Sequence, residues 1–166
     1  MKVMIGGLLA GAAVKAAVAA TVTIAPPAGV TTNVMQFFAG DTAVEIVGPG
    51  TVALNPANAH TGGTTLSGGT LLLNGTFDGV SSPVGVGTFT VAGGTLSGSG
   101  TFPCDITGTG AATIEAPGGG GWAWTGNNAF SAAMTVANGT LEIADGETSF
   151  GGGLTVADGC RPPSSR

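Results

Sequence analysis

The sequence predicts an all-β chain wound as a right-handed parallel β-helix, a β-solenoid of about six coils. Three observations lead there. Short apolar or β-branched runs such as Thr70-Leu71-Leu72-Leu73, Thr88-Phe89-Thr90-Val91 and Thr140-Leu141-Glu142-Ile143 are each bounded by Gly, Asn or Asp. No stretch after residue 25 sustains a 3.6-residue period with helix formers. The chain also repeats itself. Its paired runs suit hairpins of a sandwich or coils of a solenoid. Repetition in sequence favours the solenoid, because equivalent coils occupy equivalent environments.

In chain order, residues 1–20 read as an export signal. Met1-Lys2 gives a positive start, Val3 to Val14 is uncharged and rich in apolar and small residues, and Ala17-Val18-Ala19 offers a small-x-small cleavage pattern. Cutting is expected near Ala19 or Ala20. The stretch before Lys15 is shorter than the roughly 20 residues a membrane-spanning helix needs. Lys15 keeps open the alternative of an attached, amphipathic start. Residues 21–47 are expected to form an N-terminal cap or a first irregular coil, residues 48–160 the repeats, and residues 161–166 an atypical tail.

The repeats are visible letter by letter. Val91-Ala92-Gly93-Gly94-Thr95-Leu96 recurs as Val136-Ala137-Asn138-Gly139-Thr140-Leu141, a variant lies at Leu66 to Leu71, and Val156-Ala157-Asp158-Gly159 begins another copy. The step from Leu66 to Val91 reads as one period, that from Val91 to Val136 as two, and that from Val136 to Val156 as one. Leu54 to Leu73 also aligns without a gap on Trp124 to Ile143, at an offset of 70, which reads as three periods of about 23 residues. Gly-Gly, Asn-Gly and Asp-Gly pairs supply the positive φ values that sharp corners demand. Inward Leu, Val, Ile and Phe should stack in ladders, with Thr and Ser outside.

Composition excludes several functions. The hydrophobic share is 43%, too high for a disordered chain. The basic residues are Lys2, Lys15, Arg161 and Arg166, so the body carries none, against nine acids in the chain. Nucleic-acid binding is therefore not expected, since phosphate is neutralised by basic side chains. A P-loop is excluded for want of its lysine. No second apolar run is long enough to cross a bilayer, so membrane insertion of the body is not expected.

Asn58-Ala59-His60-Thr61-Gly62-Gly63-Thr64-Thr65-Leu66-Ser67-Gly68-Gly69-Thr70-Leu71 resembles the autotransporter-associated β-strand repeat, whose pattern runs Asn-x-aromatic-Thr-Gly-Gly-Thr-Thr-hydrophobic-x-x-Gly-Thr-Leu. Gly94 to Thr101 is similar to the Gly-Thr-Leu-x-Gly-x-Gly-Thr stretch that often follows it. The resemblance spans roughly residues 48 to 160. It implies a passenger-type β-helix of bacterial surface proteins, adhesive or a simple stalk, with no shared catalytic or metal residues. The terminal membrane barrel of a full autotransporter does not fit into this length. After Gly159 the repeat calls for Thr-Leu, but Cys160-Arg161-Pro162-Pro163 follows. A truncated or frame-shifted longer passenger and a genuine short protein both fit that tail.

The search for chemistry yields little. His60 is the single histidine and aligns with Phe130, so a ring filling a structural slot is the expected role, ahead of a general base. No Gly-x-Ser-x-Gly elbow occurs. Cys104 and Cys160 are widely separated in sequence, and whether they pair is left open. Glu142, Asp145 and Glu147 gather around one turn, read as a solvated corner because the Gly-Gly-x-Gly-x-Asp calcium nonapeptide is missing. Trp122 and Trp124 share one strand face, in the core or, if exposed, stacking on a sugar ring. Asn74-Gly75-Thr76 and Asn138-Gly139-Thr140 fit glycosylation spacing but read better as corners. Thr-x-Thr pairs at Thr21/Thr23, Thr88/Thr90 and Thr107/Thr109 do not recur once per coil, as an ice-binding face would require.

No catalytic, cofactor-binding or metal residue is assigned, and no cofactor is expected. The leading reading is a non-enzymatic exported protein, secreted or held at the bacterial cell surface in association with the outer membrane. It would act as a stalk or adhesin-like module toward host or matrix surfaces or glycans. The alternative is a carbohydrate-binding or polysaccharide-degrading β-helix, the latter using a carboxylate such as Glu142 or Asp145.

Overall fold

The computed structural model describes residues 2–5, 20–54, 57–74, 82–102, 105–143 and 148–157, with side chains from residue 20 onward except that of Asn74. In chain order, β1 (Lys2–Ile5) precedes a first coil of β2 (Thr21–Ile24), β3 (Thr31–Val34) and β4 (Ala39–Gly40). The next holds β5 (Ala43–Ile46), β6 (Thr51–Leu54) and β7 (Ala59–His60). Then come β8 (Thr64–Leu66) with β9 (Thr70–Asn74), and β10 (Phe89–Val91) with the long β11 (Gly94–Phe102). A coil of β12 (Ile106–Gly108), β13 (Ala112–Glu115) and β14 (Gly121–Trp124) follows. After it lie β15 (Asn128–Phe130), β16 (Met134–Asn138) and β17 (Thr140–Ile143), and last β18 (Thr148–Phe150) and β19 (Leu154–Val156). The one helical element among the described residues is a 3-10 turn, Pro117–Gly119.

Every strand pairing is parallel, and each strand pairs with its counterpart one coil away. The expected β-solenoid is what the chain forms, with about six turns. It has three sides. The first face runs β1-β2-β5-β8-β10-β12-β15-β18, and the second runs β3-β6-β9-β11-β13-β16-β19. The third face holds the β4–β7 pair and, farther along, the second half of β11 with β14 and β17.

Alternation along each strand builds the core. In β6, Val52 and Leu54 point inward while Thr51 and Ala53 point out, and β13 repeats the pattern with Ala112 and Ile114 inward. Stacking the coils turns these positions into inward columns. On the second face Val52, Leu71, Leu96, Ile114 and Val136 lie in direct register and are all nearly inaccessible. Aromatic rings fill the wider part of the interior. Phe89 stacks on Phe102 at 5.9 Å, Trp124 on Phe130 at 5.4 Å, and Phe130 on Phe150 at 5.5 Å.

One sequence expectation needs correction. The shorter repeats are true coil steps: Leu66 lies beside Val91, Thr70 beside Thr95, and Val136 beside Val156. The step from Val91 to Val136 and the offset of 70 are not whole numbers of coils. Thr70 and Thr95 lie on the second face, whereas their sequence match Thr140 lies on the third. The residue on the second face three coils from Thr70 is Thr135, reached through Thr95 and Thr113. The long self-match is therefore three coils plus a step of one face. Corners of a three-sided coil share one chemistry, an apolar residue, a glycine with positive φ and then Thr-Leu, so a sequence match cannot tell them apart.

Candidate functional site

The interior accounts for most residues that looked chemically active. His60, on β7, is wholly buried, and its ring meets Phe38 edge-on at 5.9 Å. The expectation of a ring in a structural slot holds: Phe130, its sequence counterpart, is buried too, although on another face. The Thr64 hydroxyl donates to the Val84 carbonyl at 2.9 Å, so its oxygen accepts from His60 Nε2–H at 2.8 Å. That fixes a neutral Nε2–H tautomer, with Nδ1 buried and without a hydrogen-bond partner. Burial lowers the His60 pKa from 6.5 to about 4. A base this weak, sealed from solvent, has no route to a substrate.

Trp122 and Trp124 do share one strand face, and it is the inward one; both are nearly inaccessible. Trp122 Nε1–H donates to the Glu115 carbonyl at 3.1 Å. Neither indole is placed to stack on a sugar. Asn58 and Asn128, identical in the sequence match, are both buried. Asn58 accepts from the Phe38 amide at 2.9 Å and donates to the Pro83 carbonyl at 2.9 Å, tying three successive windings together.

Glu142 lies exposed on β17, while Asp145 and Glu147 fall outside the described residues. Cys104, Cys160 and the Asn74-Gly75-Thr76 acceptor's Gly75 and Thr76 also fall outside them. Asn138 and Gly139 form a corner between β16 and β17, where Gly139 has φ of 79° and the Asn138 Oδ1 accepts from the Ala116 amide at 2.7 Å. Among the described residues no group of three or more His, Cys, Asp or Glu side chains comes together to hold a metal, and no helix is long and apolar enough to cross a membrane.

The exterior carries a feature that the sequence does not announce. Along the second face Thr31, Thr51, Thr70, Thr95, Thr113, Thr135 and Thr155 occupy one outward position in continuous register. The column has no interruption from β3 to β19 and spans about 29 Å at the usual interstrand spacing. Its neighbours in the next outward column are mixed: Asn33, Ala53, Leu72, Ser97 and Glu115. On the first face the central outward column is also threonine-rich but broken: Thr23, Glu45, Thr65, Thr90, Thr107, Ala129 and Ser149. A partial signal in the sequence is the Gly-Thr step at Gly50-Thr51, Gly69-Thr70 and Gly94-Thr95, whereas Thr31, Thr113, Thr135 and Thr155 follow other residues. Spacing hid the column, because the winding from Thr70 to Thr95 is longer than the one from Thr95 to Thr113.

The described residues thus form a three-sided parallel solenoid with an aromatic and aliphatic interior, open at Leu154 and Val156, and a regular hydroxyl column outside. Comparison with family models finds a similarity in two segments of the chain. Residues 47–73 and 118–143 match the model of the passenger-associated-transport-repeat, in line with the resemblance to autotransporter passenger repeats read from the sequence. The two matched segments contain the two halves of the long self-match, and each runs through all three faces, the strands of the first starting and ending on the second face and those of the second on the third. Neither the search of curated proteins nor that of solved structures returned a match.

Proposed function

We propose that this chain is an exported passenger module that works as a rigid stalk and contacts surfaces through its second face, without catalysis. The passenger repeat and the solenoid support a structural surface role. The single observation that carries the contact role is the unbroken threonine column on the second face. Each rung offers a hydroxyl and a methyl on a fixed lattice, suited to many weak, repeated contacts with an extended glycan or a matrix protein. Such contacts gain strength through multiplicity rather than through a deep pocket. With a formal net charge of −5 and no basic residue between Lys15 and Arg161, attraction to polyanions does not contribute.

A panel of immobilised glycans and matrix proteins tests this reading. Binding by the full chain is expected, and Thr95→Ala, Thr113→Ala and Thr135→Ala combined should abolish it while leaving the urea midpoint nearly unchanged. Absence of binding across the panel would reduce the protein to a stalk, and binding untouched by the triple variant would move the contact elsewhere. A polysaccharide-degrading role resting on exposed Glu142 would instead release new reducing ends or unsaturated products. Their absence with acidic and neutral glycans removes that alternative.

A further inference from the structure

The longest winding of the solenoid, from Thr70 to Thr95, folds its segment 82–87 over His60. Hydrogen bonds to the winding beneath hold that segment down. The Ser82 amide donates to the Asn58 carbonyl at 3.0 Å, and the Val86 and Gly87 amides donate to the His60 carbonyl at 3.0 and 3.3 Å. The Pro83 carbonyl accepts from Asn58 Nδ2 and the Val84 carbonyl from the Thr64 hydroxyl, each at 2.9 Å. The Gly85 amide and carbonyl close a local turn with the Ser82 carbonyl and hydroxyl.

We propose that His60 is an acid-sensitive latch: its neutral Nε2–H holds Thr64 against Val84, and protonation of the ring releases segment 82–87 from the winding beneath it.

The geometry leaves the protonated ring nowhere to go. Gly85 lies so close that a Cβ there would sit 2.7 Å from Cε1 and Nε2 of the imidazole. Phe38 closes another side. A proton on Nδ1 would become a buried donor without an acceptor, on a buried cation without a counter-ion. The groups placed against the ring are Phe38 from the winding below, Thr64 on β8 and Gly85 from the segment above, and none of these titrates. Among the described residues the nearest carboxylates along the chain are those of exposed Asp41 beyond β4 and of Glu45, which accepts from the Thr23 hydroxyl, and Asp78 lies outside the described residues. Opening is the release available, and it leaves the β8–β10 and β9–β11 ladders intact because residues 82–87 belong to no strand.

The sign follows from linkage. The closed form holds its histidine proton only near pH 4, whereas an opened, hydrated ring holds it near 6.5. Closure is therefore fully favoured above about pH 6.5 and weakens as pH falls toward 4, with no further loss below. Over that window the open population grows roughly tenfold per pH unit, about a hundredfold from pH 7 to pH 4.

Amide hydrogen exchange on the full chain at pH 7, 5.5 and 4, corrected for intrinsic rates, tests the latch. Protection of the Ser82, Val86 and Gly87 amides should fall about a hundredfold while strands β13 and β16 hold theirs. In His60→Gln, whose amide keeps the donor and cannot titrate, that fall should disappear. Unchanged protection in the native chain, an equal fall in His60→Gln, or a fall spread over β13 and β16 would each overturn the proposal. Because His60 is the single histidine, its Cε1–H resonance provides a reading independent of any variant. A titration midpoint near 4 that coincides with loop opening supports the latch, and one near 6.5 refutes it.

Discussion

Gly108 lies between Val91 and Phe130 in an inward column of the first face, and the Phe130 ring occupies the space its side chain would take. A Cβ there would overlap the ring's Cδ1. Phe130 cannot simply swing away, since it is stacked between Trp124 and Phe150. Gly108→Ala should therefore cost about 1–3 kcal/mol, the usual penalty for overpacking. A lowered urea midpoint would show it, and adding Phe130→Leu should recover part of the loss. An unchanged midpoint would mean the ring is not held where it is. The identity of such residues was unevenly legible in sequence. That His60 and Trp124 are interior followed from their matches to Phe130 and Leu54, but the Gly108–Phe130 complementarity joins residues of successive coils and leaves no local mark.

At the scale of the element, strands and corners were readable while their stacking was not. Thr70-Leu71-Leu72-Leu73 declares a strand by its propensities, and Gly69 declares the corner before it. Gly69 has φ of 72°, and a Cβ on it would overlap the Gly48 carbonyl oxygen, so conformation and space both demand glycine. Gly48 and Gly94 serve that corner in the adjacent coils, also with positive φ. Gly69→Ala should destabilise the fold by about 1–2 kcal/mol from left-handed backbone alone, and by more once the overlap is added, again read as a urea midpoint. Retention of full stability would contradict the corner geometry. The threonine column escaped the sequence because coil lengths vary between rungs. A fixed-period search sees Thr95 and Thr140 as partners, whereas the pairing partner one coil on is Thr113.

The whole molecule is a short three-sided rod whose chemistry is divided between inside and outside. Most of the described rings and aliphatic side chains and the one imidazole are used inside, while threonines and acidic residues lie outside together with a few exposed apolar side chains such as Met35 and Phe37. This division explains why the solenoid and its repeat chemistry were legible in the sequence and the threonine column was not. The solenoid follows from repeat chemistry, whereas the column arises only when coils of unequal length come into register. Distances along the second face test that register most directly. With native cysteines replaced, spin labels at Thr155 are paired in turn with Thr31, Thr51 and Thr70. Their separations should be about 29 Å, about 24 Å and about 19 Å, one strand spacing per coil. Such even steps, despite unequal residue counts, are what the account predicts. Separations that track residue number, or that bring Thr155 no nearer to Thr70 than to Thr31, would contradict it.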